Sequence, residues 1–228
     1  MQRRKFTSAV LSIAGLGVWG HAWAFSLTES DAASGIRAAL ERGAVSAVGL
    51  LGRNDGFSGN PLVHIPLPSF LHDAARLLKA TGQQRRVDAL ELALNRAAEA
   101  AVPEAKALLV NAVKSMSVED AKQVLTGGDN SVTQFFANKT REPLGVKFLP
   151  IVTRATEKVA LVDKYNAVAG RAASFGLLKQ EDASIEGYVT EKALDGLYLM
   201  IGEEEKKIRA NPVATGSAIL KKVFGSLK

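Results

Sequence analysis

Apolar residues recur every three or four positions through most of this chain, which is the spacing of one face of an α-helix. The first stripe consists of Ile36, Leu40, Ala44, Ala47 and Leu51. A half-buried strand would instead alternate apolar and polar residues, and no segment does so convincingly. The pattern therefore predicts an all-α fold.

Capping residues, glycines and prolines divide the stripes into a predicted eight to ten helices. Ser117 followed by Asp120 is a helix-start signal, and Gly127 is a helix stop. Pro143 opens another stripe, and Pro150 falls inside it, where proline should kink or split the helix. The predicted helices occupy roughly 28–51, 70–81, 87–101, 103–116, 118–126, 131–136, 143–159, 161–175, 185–208 and 219–224.

The first 24 residues have the three parts of an export signal. Residues 3–5 are basic, residues 6–19 are largely apolar, and Ala22-Trp23-Ala24 supplies the small-x-small cleavage pattern. We predict cleavage after Ala24, which leaves one all-α domain at 25–228. An uncleaved anchor is the alternative. The paired arginines also resemble a twin-arginine signal, although we expect the general secretory route.

The predicted export signal affects how the charge and the location of the mature protein are interpreted. The formal charge falls from +6 to +3, which is too weak to indicate nucleic-acid binding. No later segment is apolar over the length that a membrane span needs. A chain without cysteine also suits the oxidising periplasm, which is the predicted location. The match of Gly15–Gly20 to a dinucleotide-binding fingerprint lies within the signal and is discarded.

No known catalytic or metal-binding motif occurs in the remaining chain. Only His64 and His72 are left as histidines, and neither has the spacing of a zinc motif. There is no serine-nucleophile motif and no phosphate-binding lysine loop. The sequence therefore predicts neither a metal nor a cofactor.

Asn95, Arg96 and Glu99 form the first candidate site, on the third predicted helix. Asn95 and Glu99 are one turn apart, and Arg96 can reach Glu99. This arrangement fits either a polar cluster that points into a pocket or a solvated helix face, and the solvated face is the simpler interpretation.

The segment from Asp55 to Pro68 is the second candidate, because glycines and prolines predict a long loop there. Loops of this length in helical proteins are often functional. Asp55, Asn60 and His64 lie beside an apolar edge at residues 65–68. The alternative is a loop that only packs over helix ends.

Two charged segments near the C-terminus are predicted to be structural. Residues 203–209 offer favourable pairs, Glu203 with Lys207 and Glu205 with Arg209, on a solvated helix surface. Residues 220–224 could contact an anionic membrane through two lysines, but we expect them to dock against the core.

Short segments spread over nearly all of the mature chain resemble those of one family. They are Asp55-Gly56-Phe57, Asn60-Pro61, Ile65-Pro66-Leu67-Pro68, Leu94-Asn95-Arg96-Ala97-Ala98-Glu99, Lys114-Ser115-Met116, Lys192-Ala193-Leu194-Asp195-Gly196-Leu197, Glu204-Glu205-Lys206-Lys207-Ile208-Arg209 and Leu220-Lys221-Lys222-Val223-Phe224. In combination they resemble the bacterial exported family designated domain of unknown function 4197. This resemblance implies a helical exported protein, with no activity, cofactor or active site to carry over.

The sequence therefore predicts a non-catalytic binding or interaction module with an apolar groove and the 55–68 loop at its mouth. Its predicted partner is a small apolar ligand or an envelope protein. The alternative is a hydrolase or lyase that uses Asp, Glu or His on this loop or on the helix at 83–102. A structural role at the envelope would instead predict an exposed apolar stripe on one helix.

Overall fold

The computed structural model describes residues 29–128, 131–157, 162, 166, 174 and 184–211. All regular structure within these ranges is helical, which confirms the predicted all-α class. The predicted signal and the predicted helices at 161–175 and 219–224 lie wholly or largely outside the described residues, so the number of helices stays a prediction. The α-helices are α1 (Glu29–Leu51), α2 (His72–Ala80), α3 (Gln84–Ala101), α4 (Ala105–Lys114), α5 (Val118–Thr126), α6 (Ser131–Thr156) and α7 (Ile185–Ala210).

Local signals mark the start of α5 and the end of α2, near where the sequence predicts them. Ser117 Oγ accepts a hydrogen bond from the Asp120 amide at 2.9 Å, and Asp120 Oδ2 accepts one from the Ser117 amide at 3.0 Å. This reciprocal pair starts α5. The backbone and side-chain hydrogen bonds from Ser117 lower the pKa of Asp120. Gly82, with φ of +77°, lies in the turn after α2, next to the predicted end of this helix at residue 81.

Helix α6 corrects one prediction, because it runs unbroken from Ser131 to Thr156 with Pro143 and Pro150 inside it. Neither proline begins a new helix. Both are exposed and lie two turns apart, on the side of α6 away from Leu144 and Phe148, which are buried. A proline frees the carbonyl four residues before it. On the exposed side water can satisfy that carbonyl, so the helix continues.

Helix α7 packs against α1, α3 and α6 and supplies much of the core. Tyr198 of α7 is 1 % exposed, and its hydroxyl lies 3.0 Å from Thr140 Oγ1 of α6. Burial raises the pKa of Tyr198. The Arg141 guanidinium of α6 lies over the Tyr198 ring, 5.3 Å from its centroid, and adds a cation–π contact between α6 and α7.

The acidic end of α7 also differs from the prediction of a solvated surface. Glu205 is buried, and Glu204 Oε2 accepts a hydrogen bond from Ser46 Oγ of α1 at 2.7 Å. Two ion pairs there join residues three positions apart, Glu203 with Lys206 and Glu204 with Lys207. The predicted pair of Glu205 with Arg209 stays a prediction, because the Arg209 side chain lies outside the described part of the structure. Burial raises the pKa of Glu204, but the hydrogen bonds from Lys207 and Ser46 outweigh it and lower the pKa overall.

Candidate functional site

The segment between α1 and α2 is a loop, as predicted, and its inner side chains are part of the core. Phe57 is 0 % exposed and Ile65 is 1 % exposed. A buried loop needs hydrogen-bond partners for its own amides and carbonyls. Residues of α3 supply them, and they include the candidates predicted from the sequence.

Glu99 binds the first half of this loop. Its Oε1 accepts hydrogen bonds from the amides of Phe57 at 3.0 Å and Ser58 at 3.1 Å. Its Oε2 accepts one from Arg96 Nη1 at 2.6 Å, so the predicted contact between these two residues is confirmed. A carboxylate that is 5 % exposed is thus satisfied by three donors.

Arg96 extends the same chain of contacts to the start of the loop, four residues after the end of α1. Its Nη2 donates to Asp55 Oδ1 at 2.7 Å. The hydrogen bonds to Glu99 and Asp55 raise the pKa of the guanidinium, which stays charged. Asp55 itself has φ of +62°, a left-handed conformation that aspartate tolerates better than most residues.

Asn95 binds the second half of the loop and is 0 % exposed. Its Oδ1 accepts from the Ile65 amide, and its Nδ2 donates to the Ile65 carbonyl, both at 2.9 Å. The same Nδ2 donates to the Glu91 carbonyl at 2.9 Å. Asn95 therefore pairs with Ile65 as a neighbouring strand would.

His64 and Asn60 complete the loop contacts. His64 Nδ1 lies 3.2 Å from the Ser58 carbonyl, and Nε2 lies 2.7 Å from Glu91 Oε1. Asn60 Oδ1 accepts from the Leu62 amide at 3.1 Å, an Asx-type turn. Glu91 was not predicted from the sequence, because an acidic residue on an amphipathic helix carries no signal of its partner.

Five of the six candidates thus meet where the loop contacts α3, whereas the Asn60 side chain faces Met200 of α7, with 3.8 Å from Nδ2 to Sδ. The solvated-face interpretation is wrong for Asn95 and Glu99, which are buried. Their hydrogen bonds go to the loop backbone and to residues of α3 itself, Arg96 for Glu99 and the Glu91 carbonyl for Asn95. Whether any of the six contacts a ligand stays a prediction. We name the buried contacts of Asn95 and Glu99 with this loop the loop anchor.

Side chains of the loop also pack against α7. A Cβ at Gly196 would lie 2.8 Å from Phe57 Cε1 and 3.2 Å from Val63 Cβ, so the missing side chain is what lets the loop approach the helix. The Tyr188 hydroxyl donates to the Pro66 carbonyl at 3.1 Å. These contacts join distant parts of the chain, and the sequence gives no local signal of them.

An open groove of about 490 Å³ runs between the loop and α7. Leu62 and Leu199 lie on opposite walls and are partly exposed. Lys192 and Asp195 bring opposite charges to the α7 wall, where Arg141 Nη2 holds Asp195 Oδ1 at 2.6 Å. We call this the loop–α7 groove. Its lining residues are Leu62, Val63, His64, Ile65, Pro66, Leu67, Ser69, His72, Tyr188, Lys192, Asp195, Gly196 and Leu199.

His64 is thus the one sequence-predicted candidate that lines the groove. Asn95, Arg96 and Glu99 lie on α3 at the loop anchor, and Asp55 and Asn60 belong to the loop but are not among the groove's lining residues. A second cavity of about 400 Å³ lies at the turn between α5 and α6, and Gln123 and Lys139 are among its lining residues.

The described part of the chain holds neither a cluster of metal-binding side chains nor a helix that could span a membrane. No group of three or more His, Cys, Asp or Glu side chains there could hold a metal ion. None of the helices described above is both long and apolar enough to cross a bilayer.

Comparisons with known proteins place the chain in a family without an assigned activity. No curated protein and no solved structure matches it. Residues 26–225 match the family model described as "Protein of unknown function (DUF4197)". This match covers most of the sequence and confirms the resemblance noted above, and the chain therefore belongs to the DUF4197 family.

Proposed function

We propose that this protein is an exported, non-catalytic binding module that takes its ligand in the loop–α7 groove. The observation that carries the proposal is the groove itself, about 490 Å³ in volume with one wall fixed by buried hydrogen bonds. Ligand sites in proteins are usually preformed and concave and mix apolar walls with a few fixed polar groups. The loop anchor supplies that preformed wall.

The lining favours an amphipathic ligand. The expected groove was apolar, but this one carries Lys192 and Asp195 as well as Leu62 and Leu199. An apolar body would cover the two leucines, and an acidic group would lie near the Lys192 ammonium. A small molecule of this kind and a segment of an envelope protein are both compatible with an open groove.

The export part of the proposal rests on the N-terminal sequence. The basic residues at 3–5, the apolar stretch and Ala22-Trp23-Ala24 are its support. The family match begins at residue 26, close to the proposed cleavage site after Ala24.

The hydrolase or lyase alternative has less support from the geometry. Both ring nitrogens of His64 face acceptors within the protein, and the Glu99 carboxylate already accepts from three donors. A general acid or base must reach a substrate proton. Either residue would first have to give up a contact that holds the loop.

An exposed apolar stripe on α6 favours a second candidate function, contact with a partner helix at the envelope. Val146 is 74 % exposed and Leu149 is 44 % exposed, between Pro143 and Pro150. Exposed apolar surface of this kind often marks an interaction site. The α6 stripe therefore needs its own variant in any binding experiment.

The groove is tested by a matched pair of substitutions at exposed leucines, Leu199→Ser in the groove and Leu92→Ser on α3. Leu199 is 42 % exposed and Leu92 is 45 % exposed, so the two changes cost the fold about equally little. The probe is 8-anilino-1-naphthalenesulfonate, an apolar ring system with one sulfonate. We expect Leu199→Ser to weaken its binding about tenfold, because about 1.5 kcal/mol of apolar burial is lost.

Two further variants test whether the probe binds in the groove, the control Leu92→Ser and Val146→Ser on the α6 stripe. Titration by fluorescence should give unchanged affinity for Leu92→Ser and for Val146→Ser on the α6 stripe. Equal affinity in the wild type and Leu199→Ser would contradict the groove. A loss confined to Val146→Ser would move the binding surface to α6.

A further inference from the structure

The turn between α2 and α3 is the most strongly basic stretch of the described chain. Residues 76–86 contain Arg76, Lys79, Arg85 and Arg86 and no carboxylate. Arg76 contacts Asp73 at 3.6 Å, with both side chains more than four-fifths exposed. Within the described residues, Lys79, Arg85 and Arg86 form no ion pair and donate no side-chain hydrogen bond. We call residues 76–86 the basic tip.

An apolar side chain projects from the same tip. Ala75 and Leu78 of α2 pack against the core. Leu77, on the outward side between Arg76 and Lys79, is 67 % exposed. The helix is therefore held by its inner face while its outer face presents a leucine among cations. This combination is typical of helices that lie in the interface of a membrane.

We propose that the basic tip docks this protein onto an anionic lipid bilayer. Arg76 and three cations that have no ion pair in the described part of the chain complement a negatively charged surface. Each basic residue near such a surface strengthens binding about fivefold. Leu77 enters the headgroup boundary, where its exposed side chain leaves water. A hydrophilic polyanion would engage the cations but give Leu77 no apolar surroundings, so the leucine favours the bilayer.

The test uses vesicles of phosphatidylcholine with and without 30 mol% phosphatidylglycerol, mixed with the purified full chain in a flotation assay. The decisive variant is Arg85→Gln with Arg86→Gln. Its matched control is Lys106→Gln with Lys114→Gln on α4, which removes the same charge from exposed positions elsewhere. All proteins share one N-terminus, so any contribution of that segment cancels. Unchanged thermal unfolding shows that both variants fold.

The wild type should bind the anionic vesicles, and binding should weaken between 20 and 300 mM salt. The tip variant should lose about 25-fold in partitioning, whereas the α4 control should lose less than about threefold, because distant charges are screened. Leu77→Gln, which leaves the charge unchanged, should lose about tenfold by removing apolar contact.

Three results would overturn the proposal. One is equal binding to vesicles with and without phosphatidylglycerol. Another is an equal loss in the tip and α4 variants, which would indicate diffuse attraction rather than docking. The third is tip-dependent retention on heparin without vesicle binding, which would assign the tip to a polyanion instead of a bilayer.

Discussion

Replacement of Glu99 by alanine is expected to lower the free energy of unfolding by about 3–5 kcal/mol, the range for breaking a buried ionic contact. The side chain is 5 % exposed and accepts from two loop amides and from Arg96. Alanine leaves the Phe57 and Ser58 amides without their acceptor, and an unsatisfied buried donor costs about 1–3 kcal/mol. Arg96 keeps Asp55 as a partner, so the loss stays within this range.

Two variants measured by urea unfolding separate this effect from charge removal in general. Glu142→Ala removes a carboxylate from an exposed position of α6 and should change stability by less than about 0.5 kcal/mol. Glu99→Gln keeps an acceptor oxygen for the two amides but turns an NH₂ group toward Arg96. Its cost should be intermediate, about 1–2 kcal/mol. Equal stabilities of Glu99→Ala and Glu142→Ala would show that the loop anchor contributes nothing.

Replacement of Gly56 by alanine is expected to destabilise the protein by about 3 kcal/mol, the upper range for overpacking. A Cβ there would overlap the Leu51 carbonyl oxygen and lie 2.7 Å from that of Leu50. These atoms belong to the backbone at the end of α1 and cannot rotate away. The loop must therefore move off the helix, which also pulls Phe57 from its buried position.

Gly49→Ala is the matched control, because the same substitution on α1 meets nothing within 4 Å. Gly49 lies within the helix and is exposed, so alanine there should stabilise the protein by about 0.5–1 kcal/mol. Thermal and urea unfolding of the two variants should give opposite signs. A neutral Gly56→Ala would mean that the loop does not need this close approach to α1.

Sequence predicts the local elements of this fold well because their causes are local. The Ser117–Asp120 capping box and Gly82 act within a few residues, and the helices around them begin or end where predicted. The two prolines of α6 were the exception. Their effect depends on whether the freed carbonyls face water or protein, which is a property of the packed molecule.

Only part of the candidate site can be predicted from the sequence. Arg96 and Glu99 are three residues apart on one helix, so their contact is predictable from the sequence. The sequence does not predict that Asn95 and Glu99 are buried, because the residues that cover them are distant in the chain. Ile65 is 30 residues from Asn95, and Phe57 is 42 residues from Glu99. Polar residues beside an apolar helical stripe give the same sequence pattern whether solvent or a loop covers them. The groove depends on still longer contacts, such as that of Tyr188 with Pro66.

The anchor and the groove together make the loop a structural part of the proposed binding site. Glu99 and Asn95 fix the inner side of the loop, and its outer side forms one groove wall. A wall fixed before binding reduces the entropy lost when a ligand is held. Variants of the anchor should therefore affect binding through the position of the loop rather than through direct contact.

The position of binding is measured most directly by backbone amide chemical shifts in ¹H–¹⁵N NMR spectra during titration with 8-anilino-1-naphthalenesulfonate. We predict shifts concentrated at Leu62, Leu67, Lys192 and Leu199, which line the loop–α7 groove. Residues of the α5–α6 cavity, such as Gln123 and Lys139, should stay unchanged. Shifts centred on that cavity or on the α6 stripe, with the groove residues unmoved, would contradict the account.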